Sequence, residues 1–378
     1  MKIIEYHNIR IELRSFKPEG GIAEYHAMLH VIGKDKPFDG QLQDMLAACS
    51  RLPSVCGEGV RPVFGRCFLS DAANQMPLTE TCELLTGVRR LSMVQQPPLD
   101  GSKIAIWVYL KQDAEVVSSG RLFAEEHNGY RHVWTAGRHV PHGDARRQTD
   151  ALLREYAGDL EREGCTLEND CVRTWLFVQN VDVNYPEVVQ ARKEVFADHR
   201  LTEQTHYIAS TGIEGRHAHT GAYVLLDAYA VKGLRQGQQR YLYAPGHLNR
   251  TSEYGVTFER GVSVEYGDRS HIFISGTASI NNRGEIVHPG DIAGQTHRML
   301  ENMAALLAEA EADFDDVLQM IVYLRDIADY HAVNAIFEER FGNIPKVITL
   351  ASVCRSGWLV ETECIAVGKK RHPQFNPL

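Results

Sequence analysis

The sequence predicts an α+β fold in which one β-sheet-plus-helix unit occurs twice in tandem behind an N-terminal α/β region. Three observations carry this. The segment Val140-Pro141-His142-Gly143-Asp144, followed by Gln148-Thr149 and a helical run to about Glu163, recurs as Val287-His288-Pro289-Gly290-Asp291, followed by Gln295-Thr296 and a run to about Ala312. Each run leads into branched and aromatic residues, Val172–Val178 and Leu318–Leu324, which suit a pleated surface. A shorter amphipathic segment (186–196, 330–341) and a closing strand (227–231, 363–367) complete each copy, so the order is β, α, β, α, β in both.

Taken in order, residues 1–95 form an α/β region in which the repeat is not evident. Pro97-Pro98-Leu99-Asp100-Gly101 reads as a turn before a strand at 103–109, which opens the first copy, placed at 96–235. Gly233 to Tyr254 reads as a connection, and the second copy spans 250–370. Its first helix shows one apolar stripe of Ile292, Met299, Leu300, Met303, Leu307 and Ala310, with Pro289 and Asp291 suited to the helix start. The tail from Lys369 to Leu378 is polar and reads as loosely held.

Composition narrows the function. A chain of 378 residues with 44% hydrophobic and 24% charged residues is that of an ordinary multi-domain globular protein. No run is long and apolar enough to span a membrane and no secretory leader is evident, so the expectation is a cytoplasmic protein without a membrane partner. The net charge of -9 opposes a phosphate backbone and argues against nucleic acid. The eight cysteines contain no Cys-x-x-Cys pair and read as reduced thiols. No cofactor motif and no metal site is expected, since His217 and His219 on one strand face lack further ligands at matching spacing.

Five pieces, Ile274-Ser275-Gly276-Thr277-Ala278-Ser279, Gly290-Asp291, Gln295-Thr296, Tyr323-Leu324-Arg325-Asp326 and Glu361-Thr362-Glu363-Cys364-Ile365-Ala366-Val367, resemble the RidA/YjgF pattern in order and spacing. The imine-deaminase branch of that superfamily carries a substrate-binding arginine where this chain has Lys346, after Pro345. Lysine lacks the planar fork that grips a carboxylate. More of the chain is similar to the chorismatases: Ser210-Thr211-Gly212-Ile213-Glu214-Gly215, read as a turn, Tyr254-Gly255 with Phe258-Glu259-Arg260, and Val353-Cys354-Arg355 with Leu359-Val360-Glu361. That resemblance implies a cofactor-independent hydrolase that cleaves the enol ether of chorismate or a related carboxylate to release pyruvate. It also implies trimeric or pseudo-trimeric packing of such units, with the site at a repeat or subunit boundary. The alternatives are an imine/enamine deaminase and a non-catalytic protein that binds a small carboxylate metabolite.

Enol-ether hydrolysis needs an acid that protonates the vinylic carbon, and a carboxyl desolvated on an apolar strand can stay protonated to do so. Glu361 is the expected acid, and Glu363, two residues on and so on the same strand face, the expected partner in the pocket. Arg260 and Arg355 are the expected anchors for substrate carboxylates. Ser275, Gly276 and Thr277, with Gly212, Tyr254 and Cys354, complete the expected pocket, the Cys354 thiol having its pKa lowered by neighbouring Arg355. Glu214 is expected to bring a negative charge close to the substrate. Leu225 and Asp227 stand in the first copy where Glu361 and Glu363 stand in the second, so the first copy is expected to be structural.

Overall fold

The computed structural model describes residues 1–82 and 91–378. Among them are three six-stranded sheets, and each belongs to a separate stretch of chain. The first contains β1 (Lys2–Tyr6), β2 (Ile9–Phe16), β3 (Glu24–Val31), α1 (Phe38–Cys56), β4 (Val60–Leu69), α2 (Ala72–Glu80), β5 (Ser92–Gln95) and β6 (Ile104–Gln112). The middle unit contains β7 (Val117–Ser119), β8 (Leu122–His127), β9 (Tyr130–His139), α3 (Ala145–Arg162), α4 (Leu167–Asp170), β10 (Cys171–Val178), α5 (Val181–Asp198), β11 (Ala209–Glu214) and β12 (Val224–Lys232). The last contains β13 (Gln239–Leu242), β14 (Gly261–Glu265), β15 (Ser270–Ala278), α6 (Ile292–Glu309), β16 (Val317–Leu324), α7 (Tyr330–Phe341), β17 (Lys346–Leu350) and β18 (Val360–Gly368). Strand order within the unit is 1-2-3-6-4-5 in all three, with a parallel pair at one edge.

The unit therefore occurs three times, once more than the sequence pattern suggested. The strand expected to open the middle copy is β6, which pairs with β3 and β4 and closes the first sheet, so the first unit runs past residue 95 to 112. Its polypeptide cannot belong to the middle sheet, because both edges of β6 are already occupied. Likewise β13 lies within the segment read as a connection and pairs with β14. The C-terminal tail is held rather than loose: Gly267 N–H donates to Asn376 O (2.8 Å), Leu378 N–H to Asp268 (2.9 Å), and Leu378 is fully buried.

A glutamine near the start of the first long helix explains the shared motif. Gln295 donates to His288 O and Gly357 O and accepts from Leu359 N–H, the residue before β18. Gln148 does the same with Gly143 O, Gly221 O and Tyr223 N–H before β12. In the first unit Gln41 takes the place, bonding Lys34 O, Lys36 O and Lys103 N–H before β6. Each such amide ties the helix start to the closing strand. Asp144 and Asp291 cap α3 and α6 by accepting from Arg147 N–H and Gly294 N–H.

The three sheets form a ring. Isolated bridges Gln95↔Arg216, Ile213↔Val353 and Pro98↔Thr349 join each parallel edge strand to the segment beyond the next unit's edge strand. Inside the ring, helix-covered sheets meet face to face, which is why β10 and β16 are buried along their whole length. The fourth residue of the closing strand is Trp107, Asp227 and Glu363 in the three units, and all three gather around Arg66 of β4. Its fully buried guanidinium pairs with Asp227 (2.8 Å), approaches Glu363 (3.7 Å), and lies over Trp107 (5.4 Å) and Trp175 (4.7 Å).

Arg66→Met would leave Asp227 with only the Gly137 N–H (2.7 Å) in a fully buried position. We expect a loss of about 3–5 kcal/mol in chemical denaturation. The double variant Arg66→Met/Asp227→Leu should recover part of that loss, since it removes the stranded charge.

Candidate functional site

A small pocket, with free space of about 40 Å³, opens between the middle and C-terminal units. The middle unit contributes Tyr185 and Arg192 from α5 and Ser210, Thr211 and Gly212 from β11; the C-terminal unit contributes Arg260, Gly276, Cys354, Arg355, Trp358 and Glu361. Expected site residues that come together here are thus Glu361, Arg260, Arg355, Gly276, Gly212 and Cys354.

Glu361 is 4% exposed and lies directly over Gly276. A Cβ at position 276 would meet its Oε1 at 2.0 Å, so this glycine is needed for the close approach. Burial, followed by the charge of Glu363, pushes the Glu361 carboxyl up to about 8, against the lowering effect of Arg260 and Arg173. At neutral pH the group is mainly protonated. Arg260 is buried, donates to Asn249 O and Oδ1 (3.1–3.3 Å) and lies 5.5 Å from the centre of the Phe258 ring. Arg355 is exposed at the mouth beside Trp358.

The remaining expected residues stand elsewhere. Glu363 is not in the pocket: its buried carboxylate accepts from Arg173 (2.8 Å), Trp175 Nε1 (2.8 Å) and Thr211 Oγ1 (2.5 Å), and serves as a strut between the middle and C-terminal units. The two carboxyls share a strand face, but the residues opposite them differ. Ser275 and Thr277 are fully buried, and their hydroxyls donate to Glu259 O and Ser275 O, so they shape β15 and do not line the cavity. They lie beside the register shift between Ile274 and Thr277 that carries Gly276 over Glu361. The side chain of Tyr254 lies outside the described residues.

Three electrostatic expectations are corrected. Residues 209–214 form strand β11, and the Glu214 carboxylate accepts from Asn180 N–H (2.9 Å) and Val181 N–H (2.7 Å) at the start of α5. Its charge is spent on a helix N-terminus, outside the pocket. The Cys354 thiol is pushed up to about 12, because burial and the Glu361 charge outweigh Arg355. His217 and His219 sit in a turn rather than on a strand, and the His217 ring packs 4.0 Å from that of His139. Among the described residues no group of three or more His, Cys, Asp or Glu side chains is placed to hold a metal ion.

Arg192 is the residue that sequence reasoning missed. It is 1% exposed, its Nε donates to Thr257 Oγ1 (3.1 Å), and its buried Nη2 has no hydrogen-bond partner among the described residues. An arginine on the apolar face of a helix was the available signal. With Arg260 it lines the wall of the pocket that also holds Glu361, an arrangement suited to an anionic ligand next to a carboxylic acid. In the middle unit, Leu225 occupies the position equivalent to Glu361 and is buried in the core.

Residues 262–368 match the family model described as Endoribonuclease L-PSP. A RutC family protein of Pyrococcus abyssi is 40% identical over 98 residues, which is 25% of this chain and 76% of that relative. A 3-aminoacrylate deaminase RutC of Acinetobacter baylyi is 36% identical over 70 residues, 18% of this chain and 56% of the relative. The structure is similar to a crystal structure of a chorismatase, with a TM-score of 0.64 and 18% identity, covering 81% of this chain and 93% of that one. The chain belongs to the RutC family, within the RidA/YjgF superfamily, and its three-unit fold is that of the chorismatase structure.

The raised carboxyl has a measurable thermodynamic signature. Glu361 is neutral in both folded and unfolded chains at low pH; above its unfolded value of about 4.5 only the unfolded chain ionises, and stability falls until the pH reaches about 8. Comparing melts at pH 5 and pH 8, Glu361→Gln should remove this component of the slope and leave the variant more stable than the parent at pH 8, by on the order of a few kcal/mol.

Proposed function

We propose that the chain is a cofactor-independent hydrolase of a chorismate-like enol ether, with the site between its middle and C-terminal units. The observation that carries this reading is a buried carboxylic acid with a pKa raised to about 8, set in a pocket that also holds Arg192, Arg260 and Arg355. A substrate with two carboxylates needs fixed cations, and guanidinium groups offer paired N–H donors to each. The unpartnered Arg192 Nη2 would donate to one carboxylate, and Arg260 and Arg355 would supply charge to the other.

In this reading Glu361 gives its proton to the vinylic carbon of the enol ether, and the electron pair of the double bond forms the new C–H bond. The ether oxygen stabilises the resulting oxocarbenium ion. Water adds to the neighbouring carbon, the one bonded to the ether oxygen, and loses a proton to the Glu361 carboxylate, and the hemiketal collapses to pyruvate and the ring alcohol. Arg260 opposes too high a pKa, so that the acid both holds and releases a proton near neutrality.

The second reading, an imine/enamine deaminase, is favoured by the likeness to the Acinetobacter baylyi RutC protein. Against it, Lys346 replaces the expected arginine and lies in a different cleft from Glu361. The third is a protein that binds a carboxylate metabolite without turnover.

Incubated with chorismate, the protein should release pyruvate without added metal or nucleotide, as followed with a coupled dehydrogenase. Glu361→Gln should lower kcat by about 100-fold or more while keeping the fold. The parent rate should fall as pH rises through about 8, where the acid loses its proton. Rapid imine hydrolysis with no pyruvate from chorismate would favour the deaminase, and ligand binding with no turnover in either assay the metabolite-binding reading.

A further inference from the structure

Among the side chains that line the candidate pocket, Arg192 Nη2 and the indole Nε1 of Trp358 are donors shielded from solvent, with no hydrogen-bond acceptor among the described residues. The proposed reaction uses Arg192 and leaves the indole without a role. Trp358 is 6% exposed, and the backbone on both sides of it is pinned. Gln295 of α6 donates to Gly357 O and accepts from Leu359 N–H, and Trp358 N–H donates to Arg355 O (3.0 Å). The equivalent glutamines place Ala222 between Gly221 and Tyr223 in the middle unit, and Ser102 before Lys103 in the first. A large indole therefore stands at this point only in the copy that also carries the acid Glu361. The Arg355 guanidinium lies 5.1 Å from the centre of the Trp358 ring.

We propose that Trp358 is a specificity-determining residue whose indole N–H donates to a hydroxyl oxygen on the substrate ring, and so selects hydroxylated rings over rings that carry an ammonium group at the same position. The assignment rests on the proposed hydrolase reading and narrows its substrate class. Three arginines account for two carboxylates, so the remaining donor calls for a neutral acceptor. An indole N–H donates and cannot accept. A hydroxyl oxygen offers it a lone pair, whereas an ammonium group brings only donors of its own and leaves the N–H unpaired. Losing such a bond to a shielded donor corresponds to about tenfold in affinity. Charge acts in the same direction. Arg192, Arg260 and Arg355 line the pocket, and Glu361, which supplies the only carboxyl among the described lining residues, is mainly protonated at neutral pH. Glu363 is committed to Arg173, Trp175 and Thr211. An ammonium group would meet cations and no ionised carboxylate to offset them.

The test is a binding measurement on the full chain carrying Glu361→Gln, in which turnover is suppressed, with ¹⁵N in its four tryptophan indoles. The N–H signal that Trp358→Phe removes is that of Trp358, and the other three signals, unchanged, show that this variant is folded. A nuclear Overhauser contact between the moving N–H and the ligand ring gives the same assignment without any substitution at 358. Chorismate, which carries a ring hydroxyl, and the analogue with an ammonium group in place of that hydroxyl are titrated in turn. Chorismate is expected to move the Trp358 signal downfield and to bind about tenfold or more tightly than the analogue, which leaves the signal in place. Trp358→Phe should remove most of that preference by weakening the binding of chorismate alone. Chorismate bound with the Trp358 signal unmoved, or a preference that survives Trp358→Phe, overturns the assignment and leaves the hydrolase reading standing. Binding of neither ligand overturns the hydrolase reading itself, and the assignment with it.

Discussion

A single buried cation organises the ring. Arg66 comes from the N-terminal unit, its closer partner Asp227 from the middle unit, and its second carboxylate, Glu363, from the C-terminal unit. A guanidinium removed from water is tolerable only when charge and hydrogen bonds replace its hydration. Here the replacement comes from all three units at once, with Trp107 and Trp175 on its faces. Three copies of one unit related by symmetry could not do this with identical residues. Fusion into one chain lets Trp107, Asp227 and Glu363 differ at equivalent positions and become complementary.

The same asymmetry makes the candidate site. Glu363 is fixed by Arg173, Trp175 and Thr211, and its charge is one of the two influences that keep Glu361 protonated. Thr211 also accepts from Gly276 N–H (2.9 Å), which places the glycine under the acid. The middle unit therefore supplies both a wall of the pocket and the strut behind its acid. At the other two boundaries the acid position holds Leu225 or Ala105, and the surroundings differ accordingly.

The repeat and the burial of Glu361 on its strand were legible in the sequence because they rest on short, local patterns. Gln148-Thr149 and Gln295-Thr296 recur with their flanking glycines, and Glu361 interrupts an apolar strand. The third unit was hidden because its motif reduces to Gln41 and its closing strand, β6, follows a proline-rich turn that resembles a domain boundary. Glu363, Glu214 and Cys354 were misplaced for a common reason. Strand alternation gives the face a side chain occupies, but not the partner that waits there: Arg173 for Glu363, the start of α5 for Glu214, a desolvating wall for Cys354. Arg192 was overlooked because its role arises only when α5 of one unit meets β15 and β18 of the next.

The most direct test of the account is a crystal structure of Glu361→Gln with chorismate bound. The expected result places the ligand between the middle and C-terminal units, one carboxylate within hydrogen-bonding distance of Arg192 Nη2, the other facing Arg260 and Arg355, and the enol-ether methylene carbon against the residue-361 amide. A ligand bound only at another boundary, or one whose enol ether points away from position 361, would contradict it.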